Sequence, residues 1–362
     1  MKSKGLPMYS QRIQLARESR GLSQIELAKI SGITQSQLSK FESSEKSPDD
    51  EDLKKLAKAL DYPIAFFNLK GEQREIHLDF FRKGKTIPVK SSRKIQAIIN
   101  RTKDEFNFLL KSIDIDSVKL PSGLPSEKAT EAARIIRRLW NIPSGPISNL
   151  FAVIEASSIP IFPIRFPLED KFSGCAVLLN QVQPIIFYNS NYPSDRNRFS
   201  VAHELGHIVL HHLGESSEQN YYYEYNQNLI ESQANDFASE FLMPEKEIRN
   251  DLRNLSIESL QRLKYKWRVS MAALVERAYR LSIINYNKYI YFRKEFSARK
   301  WIYSEPISIP KEETFLLKNL INIYLTDLNY SKEELASSLG LSIHEFSNIY
   351  FDKQILRLAI RK

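Results

Sequence analysis

The sequence is poor in cysteine and glycine and contains no long apolar run. Its single cysteine, Cys175, has no cysteine partner for an internal disulfide or a cysteine-type zinc site, which is typical of a reducing compartment. We interpret Cys175 as a buried strand residue. No stretch approaches the roughly eighteen apolar residues of a membrane-spanning helix, and residues 1–12 lack the apolar core of a secretory signal. We therefore expect a cytoplasmic protein with no membrane partner.

Length, charge and histidine content limit the class of protein further. A chain of 362 residues predicts two or three domains. Lysine and arginine exceed aspartate and glutamate by 52 − 43 = 9, an excess that weakly favours a nucleic-acid partner. The 6 histidines are more informative, because most of them fall in one short segment. The clustered histidines are His203, His207, His211 and His212.

The hydrophobic periodicity predicts an α+β, multidomain fold. Residues 9–69 predict an all-α helix-turn-helix bundle, and residues 70–125 a helical connector. Residues 126–304 predict a domain with a small sheet, and residues 305–362 a C-terminal helical extension. Within 126–304, the apolar runs of strand length are 159–164, 174–179 and 184–188, and the main helical segments are 126–140, 198–212 and 229–242.

Residues 22–42 carry the signals of two short helices joined by a tight turn. Ser23 and Thr34 are suitable N-cap residues, and Gly32 supplies the left-handed backbone that such a turn requires. The outward positions at the start of the second helix are Gln35, Ser36, Gln37, Ser39 and Lys40. Glutamine pairs bidentately with adenine, lysine binds guanine and serine binds either base, so this surface predicts a DNA reader.

Residues 9–68 resemble the Cro/C1-type (XRE) helix-turn-helix family. The resemblance implies a domain that binds a double-stranded DNA operator, and such modules usually bind as homodimers. The side chains that it places on bases or phosphates are Gln24, Gln35, Ser36, Gln37, Lys40 and Arg17. A helical protein-binding adaptor is the alternative, but uncharged, glutamine-rich outward positions are unusual on a merely solvated face.

Residues 203–207 read His-Glu-Leu-Gly-His, an HExxH motif. Positions i and i+4 of a helix lie on one face, so His203 and His207 can hold one metal ion. Glu204 then lies beside the site as a general base for water. An apolar helix flanks the motif, which favours a built hydrolytic site over two unrelated histidines.

A hydrolytic zinc site uses a third protein ligand and keeps one position open. Leu213 stands where the metzincin pattern has a histidine, so the third ligand must come from elsewhere. We rank Glu231 above His211, because a straight helix does not easily bring three successive turns to one ion. Asp236 and Glu240 are competitors on the same predicted helix as Glu231. An HExxH motif with a distant glutamate is typical of gluzincins.

Residues 126–301 resemble the ImmA/IrrE family of metallopeptidases, chiefly through Arg198–His207 and Glu231–Ala238. The resemblance implies a gluzincin-like domain that binds Zn²⁺, with Mn²⁺ as the other candidate. It also implies cleavage of a transcriptional repressor after a signal. The resemblance assigns the metal ligands to His203, His207 and Glu231, and the general base to Glu204.

These patterns together predict a DNA-binding transcriptional regulator with a metal-dependent endopeptidase domain. Its protein substrate would be itself or a partner repressor. Two hypotheses of other classes stay open. One is a repressor whose metal domain is a non-catalytic sensor or docking module, and the other is the antitoxin-like component of a two-protein module.

The C-terminal extension contains a weak repeat of the helix-turn-helix segment. At an offset of 331 − 23 = 308 residues, Ser23, Leu27, Ala28, Gly32 and Thr34 correspond to Ser331, Leu335, Ala336, Gly340 and Ser342. Glu345 stands at the position of Gln37, so we do not expect a second DNA reader. We interpret the extension as a helical docking or dimer module.

Overall fold

A computed structural model describes residues 9–69, 88–113, 116–121, 128–167, 172–179, 183–212, 227–301 and 304–351. The chain divides into two compact units. The first contains Met1–His77, Ile87–Ile115 and Leu317–Lys362, and the second contains Leu78–Thr86 and Asp116–Leu316. The segment 305–362 is therefore shared between the units. Among the described residues, no helix is both long and apolar enough to cross a membrane.

The first unit begins with short helices and ends its N-terminal part with a long one. The elements are α1 (Tyr9–Ser19), α2 (Gln24–Ser31), α3 (Gln35–Glu42), α4 (Asp50–Leu60), a 3-10 helix (Ile64–Asn68) and α5 (Val89–Leu109). Ser23 and Thr34 cap α2 and α3 by accepting hydrogen bonds from the backbone three residues on, and Gly32 has a φ of 73°. Leu27 and Leu38 are fully buried. The predicted helix-turn-helix bundle is confirmed.

The second unit contains the predicted small sheet. Two helices, α6 (Ala129–Leu139) and α7 (Leu150–Glu155), precede β1 (Ile161–Ile164), β2 (Gly174–Leu179) and β3 (Gln183–Asn189). The strand order is β1-β3-β2, with β1 parallel and β2 antiparallel to β3. The strands follow the predicted apolar runs and are almost entirely buried, as continuous apolar strands require.

The HExxH motif lies on α8 (Ser194–His207), which continues into a π-helical turn at Ile208–His212. Helix α9 (Gln227–Leu242) packs against α8. Gly206 sets their distance: a Cβ at this position would lie 3.2 Å from both the Cα and the carbonyl oxygen of Ala234. Two small residues thus allow the backbones to approach closely.

The remaining helices of the second unit cover the other side of its core. They are α10 (Glu245–Ile248), α11 (Ile257–Trp267), α12 (Met271–Arg280) and α13 (Tyr286–Ala298). Trp267, Met271 and Phe292 are buried in the same apolar cluster as Leu205 of α8. The core therefore extends from the motif helix to the last helix of this unit.

An irregular segment, 304–315, is held to the rest of the second unit by buried carboxylates. Glu305 accepts hydrogen bonds from Lys264 Nζ at 2.8 Å and from the backbone of Met271 at 2.7 Å. Glu312 pairs with Arg198, which lies 203 − 198 = 5 residues before the first histidine of the HExxH motif. None of these long-range pairs follows from a sequence pattern.

The chain then returns to the first unit. Helices α14 (Leu316–Thr326), α15 (Lys332–Ser338) and α16 (Ile343–Tyr350) complete the described structure. Leu320, Ile321 and Phe346 are buried. The predicted helical character of this segment is confirmed.

We predict that Gly206→Ala weakens the second unit. Alanine normally stabilises a helix by roughly 0.5–1 kcal/mol relative to glycine, whereas overpacking a core costs about 1–3 kcal/mol. Because the methyl group would lie 3.2 Å from the Ala234 backbone, we expect a net loss of about 1 kcal/mol, measured as hydrogen-exchange protection of α8 and α9. A gain in protection would show that helix propensity outweighs the steric contact.

Candidate metal centre and DNA-reading surface

Two helices bring three potential metal ligands together in the second unit. His203 and His207 lie one turn apart on α8, with their Nε2 atoms 3.1 Å apart. Glu231 of α9 places its carboxylate oxygens 3.5 Å from His203 Nε2 and 3.4 Å from His207 Nε2. One ligand atom from each residue lies within 4.8 Å of the others. This group is the only one of its kind among the residues searched in the described structure.

Hydrogen bonds to α9 orient the His203 ring directly and the His207 ring through His211. His203 Nδ1 lies 3.1 Å from Asn235 Oδ1. His207 Nδ1 lies 3.2 Å from His211 Nδ1, and His211 Nε2 lies 3.0 Å from Gln233 Oε1. An amide oxygen only accepts hydrogen bonds, so His203 donates from Nδ1 to Asn235, and His211 donates from Nε2 to Gln233. His211 Nδ1 then accepts from His207, and both ligand rings keep an Nε2 lone pair.

The protonation state of the group also suits a cation. Burial lowers the pKa of His207 to about 3 and that of His211 to about 4, so both rings are neutral near pH 7. Burial alone would raise the pKa of Glu231, but its interaction with the His203 and His207 rings outweighs burial and lowers the pKa below its usual range. Glu231 is therefore ionised.

This donor set fits a divalent metal ion. Two neutral imidazole nitrogens and one carboxylate form the ligand set of many hydrolytic zinc sites. The two Nε2 lone pairs face each other across 3.1 Å, an arrangement that a cation between them stabilises. Hydrogen bonding of the other ring nitrogen is the usual support of metal-binding histidines.

Glu204 lies beside this group but is directed towards the sheet. It is buried, and its Oε1 atom lies 3.6 Å from the position that a Cβ at Gly174 would occupy, at the start of β2. The next residue, Cys175, is also buried, as predicted. Burial and the charge of Glu204 raise the pKa of the Cys175 thiol well above its usual range, so the thiol is not a reactive thiolate.

The other candidate ligands are engaged elsewhere. Asp236 pairs with Arg280. Glu240 is buried and pairs with Arg134 at 2.7 Å and with Arg277. Neither belongs to the His-His-Glu group. His211 contacts His207 through Nδ1, on the side of the ring away from the Nε2 pair, so it supports a ligand.

The predicted DNA-reading residues lie on and beside α3 in the first unit. Gln35, Ser36 and Lys40 are exposed. Gln37 is half-buried and its Oε1 accepts from the Thr34 hydroxyl at 3.0 Å as part of a capping box. The first three therefore present their polar atoms more freely than Gln37 does.

Arg17 is placed differently from the expectation of a DNA contact. Its guanidinium is buried and donates to both oxygens of Glu42 at 2.7 Å. Glu42 also accepts from Gln24 at 2.9 Å, and Gln24 accepts from Gln35 at 2.9 Å. Arg17 thus anchors a chain of hydrogen bonds that ends at the exposed Gln35 of the candidate DNA-reading surface.

Sequence patterns did not predict several hydrogen-bond partners of the candidate site residues. Asn235 and Gln233 lie on α9 four and two residues after Glu231, and their spacing on that helix was an available signal. Glu42 is the last residue of α3. It lies 42 − 17 = 25 residues from Arg17 in the chain, so no short-range sequence pattern indicates this ion pair. Contacts of this kind need the helices to be placed first.

Fold and site together define a peptidase-type domain joined to a helix-turn-helix domain in one chain. Comparison with known families supports each half. Residues 13–67 match the family model described as Helix-turn-helix, and residues 154–279 match a peptidase family described as IrrE N-terminal-like domain. No curated protein matches the chain. The chain therefore carries an XRE-type helix-turn-helix fused to an ImmA/IrrE-family domain, as predicted, and the first of these indicates DNA binding.

We predict that Asn235→Ala and Gln233→Ala each weaken metal binding. Removing a group that orients a ligand histidine typically lowers metal affinity by about 10–100-fold. Zn²⁺ affinity is measured by competition with a chromophoric chelator. Ser232→Ala, an exposed position on the same helix, is the control and should leave affinity unchanged. Equal affinities in all three variants would contradict the role of these hydrogen bonds.

Proposed function

We propose that this chain is a cytoplasmic DNA-binding transcriptional regulator whose second unit is a metal-dependent endopeptidase. The observation that carries the proposal is the convergence of His203, His207 and Glu231 within 4.8 Å, next to the buried carboxylate of Glu204. Because the same chain carries a DNA-reading surface, we infer that this site serves regulation.

His203, His207 and Glu231 would hold Zn²⁺ or Mn²⁺. Such an ion, when bound, polarises a peptide carbonyl and makes water more acidic. Glu204 is the general base: its Oε1 accepts a proton from the attacking water and delivers it to the departing amide nitrogen. Its burial beside β2 keeps this carboxylate away from bulk water, which strengthens its interaction with a nearby proton.

The position of β2 supports a peptide substrate. This strand lies at one edge of the described sheet and begins beside Glu204. An extended peptide can add to a sheet edge through backbone hydrogen bonds, and a peptide on β2 would run past the catalytic carboxylate. Glycine is required there, since a Cβ at position 174 would lie 2.7 Å from the Phe187 carbonyl oxygen and in van der Waals contact with Glu204.

We propose that the endopeptidase is selective. Its substrate is either this chain itself or a partner repressor, and cleavage follows a signal. The first unit would bind a double-stranded operator as a homodimer. Gln35, Ser36 and Lys40 would read bases, Gln24 and Gln37 would contact the DNA at the helix starts, and Arg17 would position them.

We predict that Glu204→Gln abolishes proteolysis and keeps the metal. The amide retains the shape of the side chain but cannot accept the proton, and loss of a general base typically lowers the rate by about 10²–10⁴-fold. The measurement is intact mass of the purified chain over time with Zn²⁺ or Mn²⁺, alone and with a candidate repressor. Fragments must appear in the wild type only.

His203→Ala serves as the metal-site control in that experiment. If Glu204→Gln regulates normally and His203→Ala does not, the metal domain is a sensor or docking module without turnover. Identical fragments from wild type and Glu204→Gln would exclude Glu204 as the base.

We predict that Gln35→Ala and Lys40→Ala relax sequence-specific DNA binding. Loss of one base contact costs about 1–3 kcal/mol, which corresponds to roughly 5–150-fold in affinity. The operator is found by capture of genomic fragments on the full chain, and affinities are then measured at fixed salt. Lys58→Ala on α4, also exposed, removes the same charge away from α3 and is the control. Capture that both variants retain in full would contradict the assignment of this surface.

A further inference from the structure

The C-terminal helices repeat the local geometry of α2 and α3. Ser331 caps α15 in a capping box, Gly340 has a φ of 71°, and Ser342 caps α16. Ser23, Gly32 and Thr34 have the same roles in the first copy, at an offset of 331 − 23 = 308 residues. The repeat in the sequence therefore corresponds to a second helix-turn-helix motif.

The second copy directs an acidic side chain towards the first unit's own helices. Glu345, at the position of Gln37, accepts a hydrogen bond from Arg20 Nη2 at 2.8 Å and another from Arg101 Nη1 at 2.7 Å. Arg20 directly follows α1, and Arg101 lies within α5. One carboxylate therefore joins the last helix to two helices of the N-terminal part.

Further contacts surround this ion pair. The Tyr350 hydroxyl donates to Glu105 Oε2 of α5 at 3.0 Å. Gly340 packs so closely on the 3-10 helix that a Cβ there would lie 2.7 Å from the Phe66 ring. Tyr324 of α14 donates to backbone carbonyls in the last turn of α5 at 3.0 and 3.1 Å. The three C-terminal helices thus contact both α5 and the helix-turn-helix bundle.

The charges make Glu345 the central contact. Burial opposes its ionised form, but Arg101 and Arg20 outweigh burial and lower the pKa of Glu345. Arg101 is itself buried, and a buried guanidinium that loses one of its carboxylates is left poorly compensated. The corresponding surface of the second copy is unsuited to DNA, because exposed Ile343 stands at the position of Gln35 and the Glu345 carboxylate is engaged by Arg20 and Arg101.

We propose that the C-terminal helices are a second helix-turn-helix motif that clamps the first one and does not read DNA. The DNA-binding unit is then complete only when its two parts are together, the first being residues 9–69 with 88–113 and the second residues 317–351. Both parts are joined through the chain of the peptidase-type unit, which lies between them in the sequence. Covalent connection keeps the clamp at a high effective concentration.

This arrangement gives proteolysis a direct effect on DNA binding. A cut in the chain between the two parts removes the covalent connection and leaves the clamp held only by its noncovalent contacts. The clamp itself does not depend on catalysis by Glu204, so it can be tested separately from the proposed endopeptidase.

The first test uses Glu345→Gln in the full chain, with Glu333→Gln as the matched control. Glu333 is an exposed residue of α15, so both variants remove one negative charge from the same module. Hydrogen exchange of peptides from α1 and the 3-10 helix is measured by mass spectrometry. We expect at least tenfold faster exchange in Glu345→Gln and unchanged exchange in Glu333→Gln. Equal exchange in the two variants overturns the proposal.

A second test covers the case in which Glu345→Gln does not fold. A recognition sequence for a site-specific protease is inserted after the exposed Ser308, and the folded protein is cut and diluted. Release of the C-terminal fragment with loss of protection in residues 9–69 supports the clamp. Release with unchanged protection overturns it. The wild-type sequence treated with the same protease is the control.

Discussion

The candidate metal centre depends on one steric constraint, the close approach of α8 and α9. Glu231 reaches the histidines only because Gly206 and Ala234 let two helix backbones touch. The same approach brings Asn235 and Gln233 within hydrogen-bonding distance of ring nitrogens. Ligand position and ligand orientation therefore have a single cause, and a small change in helix spacing would disturb both at once.

In the DNA-binding unit, too, side chains are positioned by buried hydrogen bonds. Arg17 and Glu42 are hidden below the surface, yet through Gln24 they fix the side chain of Gln35 that is exposed on α3. In both units a side chain of the candidate site is held in place by a hydrogen bond with a neighbouring side chain. Such preorganisation reduces the entropy that binding must otherwise overcome.

The sequence predicted the features that depend on short-range periodicity. The caps at Ser23 and Thr34, the three apolar strands and the HExxH helix all follow from residues close together in the chain. It did not predict the pairs Arg198 with Glu312 or Arg20 with Glu345, which are 114 and 325 residues apart. Charged residues look alike in sequence whether they are solvated or buried in pairs, so only the packed structure separates them.

The order of the segments along the chain adds a functional constraint to these contacts. Because Asp116–Leu316 interrupts the segments that form the first unit, that unit cannot be completed until the peptidase-type unit has been synthesised. The same interruption means that a peptide bond broken within the inserted unit changes the connectivity of the DNA-binding unit without removing any residue from it. If the proposed cleavage falls within the inserted unit, the noncovalent contacts of Glu345, Tyr350 and Tyr324 then set how far the two parts stay together.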